Sequence, residues 1–193
     1  MHREVSIEEI KPYLSTPCIG KGTFGKVYKG TLDDGDVAIK VNYISKEGCL
    51  KVEEQVELMQ KVQHAHIVDY IAHLILFPTY YLVLELMEGP SLEQLIHSRN
   101  ESANNEIIHT HAYTTDEALQ WLSHAAEGLA FLHGWMPSII HRDVKPSNML
   151  LDKNKKILKI CDFGNMRQIG TNMTNESGTF RYMAPEVRLI DNR

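Results

Sequence analysis

Two hydrophobic periods divide this chain, and the change between them limits the folds open to it. Up to about residue 87 the apolar residues come in short β-rich runs, at 13–20, 26–31, 37–41, 70–72 and 81–86. Runs of that length and composition favour strands, and 37–41 (Val-Ala-Ile-Lys-Val) is apolar on both faces, as a buried strand is. Glycines join the first two runs, and Asp33-Asp34-Gly35 turns the chain between the second and third. Only residues 48–63 of this part carry a helical period. Glu88-Gly89-Pro90 then punctuates the chain like a hinge, and from Ser91 onward helices dominate. Thr114-x-x-Glu117 is a capping box opening a helix to about His133, with Ala118, Leu122, Ala125, Leu129 and Leu132 along one face. Short strand-like runs at 139–140 and 149–151 follow, and Asp152-Lys153-Asn154 turns the chain into 157–160. The expectation is an α+β fold in three parts. These are an N-terminal extension at 1–12, a lobe of antiparallel sheet plus one helix at 13–87, and a mainly helical lobe at 88–193.

Composition narrows the partners. With 43% hydrophobic residues in 193, the chain can bury a core, while its net charge of −5 supplies no basic field for nucleic acid or an anionic membrane. Cys18, Cys49 and Cys161 stand far apart with no CxxC pair, which argues against a disulfide framework or zinc site and for a reducing compartment. The N-terminal residues lack an apolar core of the secretory kind. The longest apolar stretch, 70–87, is broken by His73, Pro78 and Glu85, so it reads as two buried strands with a turn near Pro78 and not as a membrane span. Together these point to a cytoplasmic protein without nucleic-acid or membrane partners.

Five motifs carry chemistry. Gly20-Lys21-Gly22-Thr23-Phe24-Gly25-Lys26-Val27 fits GxGxxGxV, in which glycines let backbone N–H groups approach phosphate oxygens. A dinucleotide-binding fold would need a helix opening at the last glycine. Here a strand follows. Lys40, at the end of a buried strand, is placed as a cation for phosphates. His141-Arg142-Asp143-Val144-Lys145-Pro146-Ser147-Asn148 matches HRDxxxxN, where the aspartate accepts a substrate hydroxyl's proton and the asparagine holds magnesium. Asp162-Phe163-Gly164 and Ala184-Pro185-Glu186 complete the ordered series. Other candidates have plainer readings. His109 and His111 are solvated loop residues, Trp121 and Trp135 pack, Glu53, Glu54 and Glu57 form a solvated face, and Cys161 is a small buried residue or, from its place beside Asp162, a thiol open to a ligand.

In these motifs the chain resembles the eukaryotic protein kinases. Residues 160–164, 173–175 and 181–187, with Trp135-Met136-Pro137-Ser138, resemble the transforming-growth-factor-β-activated branch of the MAP kinase kinase kinase group. The resemblance implies a two-lobed fold that uses ATP and Mg2+ to phosphorylate serine or threonine in a protein substrate, under an activating adaptor protein. It implies Asp143 as base, Lys145 beside it, and Lys40 as phosphate clamp. Asn148 and Asp162 would be the metal ligands. ATP would meet Gly20, Gly22 and Gly25, with Val27, Ala38 and Leu150 about the adenine and the Glu85 carbonyl and Met87 backbone bonding the base. Leu84 would be the gatekeeper, and Met59, His141 and Phe163 would form a regulatory spine. Arg142 would receive a phosphate from Thr171 or Thr174, and Thr179 with Lys145 resembles the serine/threonine branch.

Two departures stand out. Kinases of this type carry a glutamate nine residues before the His-x-x-Ile-Val histidine, here His64, and that position holds Gln55. At about 100° per residue, Val52, Leu58, Met59 and Val62 lie within about 60° of Gln55, Glu53 and Glu57 lie opposite, and Glu54 flanks it. Gln55 is thus expected to face the core and bond Lys40 without a charge, Glu54 taking its place only if the helix rotates or gains a bulge. The second departure is the end at Arg193, before the later helices of the family, from which an incomplete helical lobe is expected.

Overall fold

The computed structural model describes residues 3–22, 25–44, 49–97, 113–169 and 178–185. The chain forms two compact units, Met1–His64 with Val68–Leu86, and Ala65–Ile67 with Met87–Arg193.

The first unit is a six-stranded sheet in the order β1-β5-β6-β4-β3-β2. Its strands are β1 (Arg3–Glu4), β2 (Gly20–Gly22), β3 (Gly25–Leu32), β4 (Gly35–Tyr43), β5 (Tyr70–Leu76) and β6 (Thr79–Glu85). All pairs are antiparallel except β1 with β5. The strand expected at 13–20 is corrected. Lys11–Ser15 is a 3-10 helix with Pro12 in its first turn, where proline's fixed φ and missing N–H are tolerated. Of that run only Gly20 lies in a strand, β2. Residues 3–12, read from sequence as an extension, pack into the unit. Glu9 accepts from Ser6 N and Oγ, opening α1 (Ile7–Ile10), and Val5 and Ile10 join Val37, Ile39, Ala72 and Val83 in one buried cluster. α2 (Cys49–Lys61) buries Val52, Gln55, Val56, Leu58 and Met59 and exposes Glu53, Glu54 and Glu57.

The second unit contains α3 (Leu92–His97), α4 (Thr115–His133), β7 (Ile139–Ile140), β8 (Met149–Leu151), β9 (Leu158–Ile160) and β10 (Arg167–Gln168). The capping box is present: Thr114 N donates to Glu117 Oε2 at 2.8 Å, and Glu117 N donates to Thr114 Oγ1 at 3.2 Å. The buried face of α4 differs from the expected stripe. Trp121, Ala125, Gly128 and Leu132 are buried, whereas Leu122 is exposed. Two contacts set this rotation. The Trp121 indole N–H donates to the Lys155 carbonyl at 2.9 Å, and a Cβ at Gly128 would lie 2.9 Å from the His66 carbonyl oxygen. Leu95, Trp121, Ala125, Leu151, Leu158 and Ile160 form the core, and burying the Trp121 ring alone is worth ~3 kcal/mol or more. Among the described residues no helix is long and apolar enough to cross a membrane.

Candidate active site

In the first unit, register aligns the predicted phosphate-side residues. Gly20 pairs with Val27, Val27 with Lys40, and Lys40 with Leu82. Residues directly opposite in a sheet share a face, as do i and i+2 along a strand. Val27, Ala38, Lys40 and Leu84 therefore lie on one face. Val37 and Ile39 lie on the other, inside the buried cluster. Gly25 has φ +148°, and a Cβ there would overlap the Val41 carbonyl, so only glycine fits. Gln55 is 6% exposed while Glu54 is exposed, which puts the glutamine on the buried face of α2. Glu85 closes β6, its N–H donating to Asp69 O and its Oε2 accepting from Asp69 N.

In the second unit, the residues from 141 to 148 wind between β7 and β8 and finish in a 3-10 turn, Pro146–Asn148. Asp143 is buried, 4% exposed, and three side chains donate to it. Thr179 Oγ1 reaches Oδ1 at 2.7 Å. Lys145 Nζ and Asn148 Nδ2 reach Oδ2 at 2.8 and 3.0 Å. Lys145 Nζ also donates to Thr179 Oγ1 at 2.7 Å, closing a ring of Asp143, Lys145 and Thr179. Burial works to raise the Asp143 pKa, but the Lys145, Thr179 and Asn148 hydrogen bonds and the Lys145 charge outweigh it. The carboxyl is held below its ordinary value. The stability it contributes is therefore complete above the ordinary carboxylate range and is lost as pH falls through that lowered value.

His141 braces this loop. It is 1% exposed, accepts from Asp143 N on Nδ1 at 3.3 Å and donates from Nε2 to the Cys161 carbonyl at 3.0 Å. Burial pushes its pKa down, against the Cys161 hydrogen bond and the Asp162 and Asp143 charges, so the ring is neutral. Its ring meets Phe163 edge-on with centroids 6.0 Å apart. Cys161 N donates to Asn148 O at 2.9 Å, tying Asn148 to the residue before Asp162. Asp162 has φ +68°, a left-handed conformation that non-glycine residues adopt at some energetic cost. Leu150 lies in β8, bridged to Ser91.

Three features escaped sequence reading. Gly178 has φ +124°, and a Cβ there would sit 2.7 Å from the Arg142 carbonyl, so this glycine allows the segment carrying Thr179 to approach the loop. Arg142 feels the Arg167 charge. Burial first, then that charge, depresses its pKa. The third is a histidine pair, His66 and His124, taken up below. Thr171 and Thr174, with Ser177, His109, His111 and Glu186, lie outside the described residues.

The family model for the protein kinase domain matches residues 13–192. The chain belongs to the protein kinase domain family. Two relatives named mitogen-activated protein kinase kinase kinase 7 are similar to it. The Drosophila melanogaster protein is 37% identical over 170 residues, 88% of this chain and 24% of the relative. The Homo sapiens protein is 36% identical over 188 residues, 96% of this chain and 28% of the relative. A putative kinase kinase kinase 7-like protein of Drosophila melanogaster is 33% identical over 188 residues, 97% of this chain and 45% of the relative. The chain thus spans less than half the length of these relatives. The α+β kinase fold and the resemblance to the MAP kinase kinase kinase group, both read from motifs, are borne out. Membership implies ATP as phosphoryl donor, a divalent metal and a protein acceptor.

Proposed function

We propose that this chain is the catalytic part of a cytoplasmic serine/threonine protein kinase acting in MAP kinase kinase kinase-like signalling, with an adaptor protein as activator. The observation that carries this is the buried Asp143 carboxylate with its donors. Oδ2 takes two donors and Oδ1 takes one. A carboxylate oxygen accepts about two, so Oδ1 keeps an acceptor site for an incoming hydroxyl. The bond that Thr179 already makes there is of the chemistry a substrate serine or threonine would offer.

In this reading Asp143 orients the substrate hydroxyl and receives its proton, as the hydroxyl oxygen bonds the γ-phosphorus of ATP and the bond to the ADP oxygen breaks. Because its pKa is lowered, Asp143 stays ionised at neutral pH and acts only as an acceptor. Lys145 balances its charge and Thr179 fixes its plane. Lys40 pairs with the phosphates, and Gly20, Gly22 and Gly25 let backbone approach them. Val27, Ala38 and Leu150 enclose the adenine, with the Glu85 carbonyl and Met87 backbone as its hydrogen-bond partners. Asn148 and Asp162 offer a carboxamide and a carboxylate oxygen, hard donors that suit Mg2+. Asn148 turns its Nδ2 to Asp143, leaving Oδ1 as its metal-side atom. Bound there, magnesium neutralises charge that builds on the phosphates. Arg142 and Arg167 form a receptor for a phosphate on Thr171 or Thr174.

Gln55 favours a second reading, a pseudokinase that binds nucleotide or signalling partners without turnover. Incubating a form that contains the whole kinase domain with ATP, magnesium and mixed peptides separates the two. Phosphoserine and phosphothreonine are expected; dominant phosphotyrosine overturns the specificity, and nucleotide binding without transfer favours the pseudokinase.

A further inference from the structure

Two imidazoles outside this cluster stack face to face. His66, between α2 and β5, lies against His124 of α4 with ring centroids 4.0 Å apart and planes 11° apart. Both rings are bonded to one residue of β9. His66 Nδ1 donates to the Leu158 carbonyl at 3.0 Å, and Leu158 N–H donates to His124 Nδ1 at 3.3 Å. These bonds fix both tautomers. A carbonyl can only accept, so His66 carries its hydrogen on Nδ1; an amide can only donate, so His124 Nδ1 is bare. His66 Nε2 faces Glu127 Oε2 at 3.6 Å, so a second proton on His66 meets a carboxylate. A second proton on His124 must go to Nδ1, where it breaks the Leu158 bond and brings a charge against the His66 ring. His66 and Glu127 are the titratable groups that act on His124.

Strand β9 also links the proposed metal ligands. Ile160 N donates to the His66 carbonyl, Ile160 pairs with Met149, which follows Asn148, and Cys161 N donates to Asn148 O ahead of Asp162. The histidine pair therefore grips the strand from which both ligands are held. We propose that His66 and His124 are positioning residues that hold β9, and through it Asn148 and Asp162, so long as His124 is unprotonated, which makes phosphoryl transfer sensitive to acidification. Burial, followed by the His66 charge, lowers the His124 pKa, with Glu127 opposing. The sign agrees. The unfolded chain binds the proton more tightly, so the grip is complete above the ordinary imidazole range and is lost as pH falls through the lowered value.

The inference rests on the kinase reading, and its test separates the two. kcat/KM for ATP is measured from pH 7.5 to 5.5 for the native kinase domain and for His124→Asn, whose Oδ1 takes the place of Nδ1 and accepts from Leu158 N–H but does not titrate. We expect the native activity to be lost more steeply between pH 7.5 and 5.5 than the variant's, as protonation of one essential deprotonated group produces. Equal losses overturn the inference. Should the variant not fold, NMR of the native protein decides. The Leu158 and Asp162 amide shifts are expected to follow the His124 ring titration with a common midpoint, and an Asp162 amide that ignores it is the contrary result. Native protein that transfers no phosphate even at pH 7.5 sinks the kinase reading instead, and the NMR titration then decides this inference alone.

Discussion

Replacing Gln55 by glutamate tests how this site holds Lys40. Gln55 is only 6% exposed, so the new carboxylate cannot simply reach water. If position 55 faces Lys40, the change converts a neutral hydrogen bond into a charge-assisted one. That adds about 0.5–2 kcal/mol, or roughly 2- to 30-fold in kcat/KM for ATP. If no cation meets it, the same carboxylate is a buried unpaired charge. Its cost is ~3 kcal/mol or more, which in a domain of this size lowers Tm by about 6–12 °C. The two cases differ in sign, so steady-state kinetics and thermal melting on the same sample separate them. The account predicts higher kcat/KM with Tm nearly unchanged. It also predicts that Glu54→Gln, on the exposed side of α2, shifts stability by no more than about 0.5 kcal/mol. A lowered Tm with no gain in nucleotide affinity, or a damaging Glu54→Gln, refutes the reasoning.

Thr179→Val removes a donor to Asp143, so the acid limb of the kcat–pH profile is expected to move to higher pH and kcat at neutral pH to fall about tenfold, measured with a threonine peptide. Gly178→Ala forces a side chain into a φ of +124° and against the Arg142 carbonyl, a strain of about 1–3 kcal/mol. It should lower kcat far more than it lowers Tm, because it displaces Thr179. Replacing Thr171 and Thr174 together by alanine should lower activity about tenfold, the loss of roughly one charge-assisted hydrogen bond. In that background Arg167→Ala should add little; unchanged activity in the double variant argues for control by another route.

The chemistry was the most legible part of the sequence, because phosphate handling imposes fixed residue types at short spacings. His141, Asp143, Lys145 and Asn148 are close in sequence, and one loop and one 3-10 turn bring them together. The burial of Gln55 was legible for a different reason: α2 carries a regular stripe, and one face must be covered. What sequence could not supply were contacts set by tertiary packing. The stripe on α4 was right at Ala125 and Leu132 but missed Trp121 and Gly128, which a tryptophan hydrogen bond and a close approach to the His66 carbonyl turn inward while Leu122 faces out. Residues 13–20 have strand-like composition, yet Pro12 and the packing of Tyr13 against Gly30 favour a 3-10 turn. Gly178, Arg167 and the His66–His124 pair gain their meaning from partners 25 or more positions away. The glycine was the one readable signal, since a glycine beside a functional threonine often marks a positive φ.

The account stands on Asp143 as the group that orients the acceptor hydroxyl and takes its proton. Asp143→Asn keeps the size and most of the hydrogen-bonding shape of the side chain while removing its charge. Single-turnover transfer from radiolabelled ATP to a serine or threonine peptide, at saturating nucleotide, measures that role without interference from product release. The predicted result is a rate reduced about 10²- to 10⁴-fold with ATP affinity within a few-fold of native. A variant that transfers phosphate at close to the native rate contradicts the account.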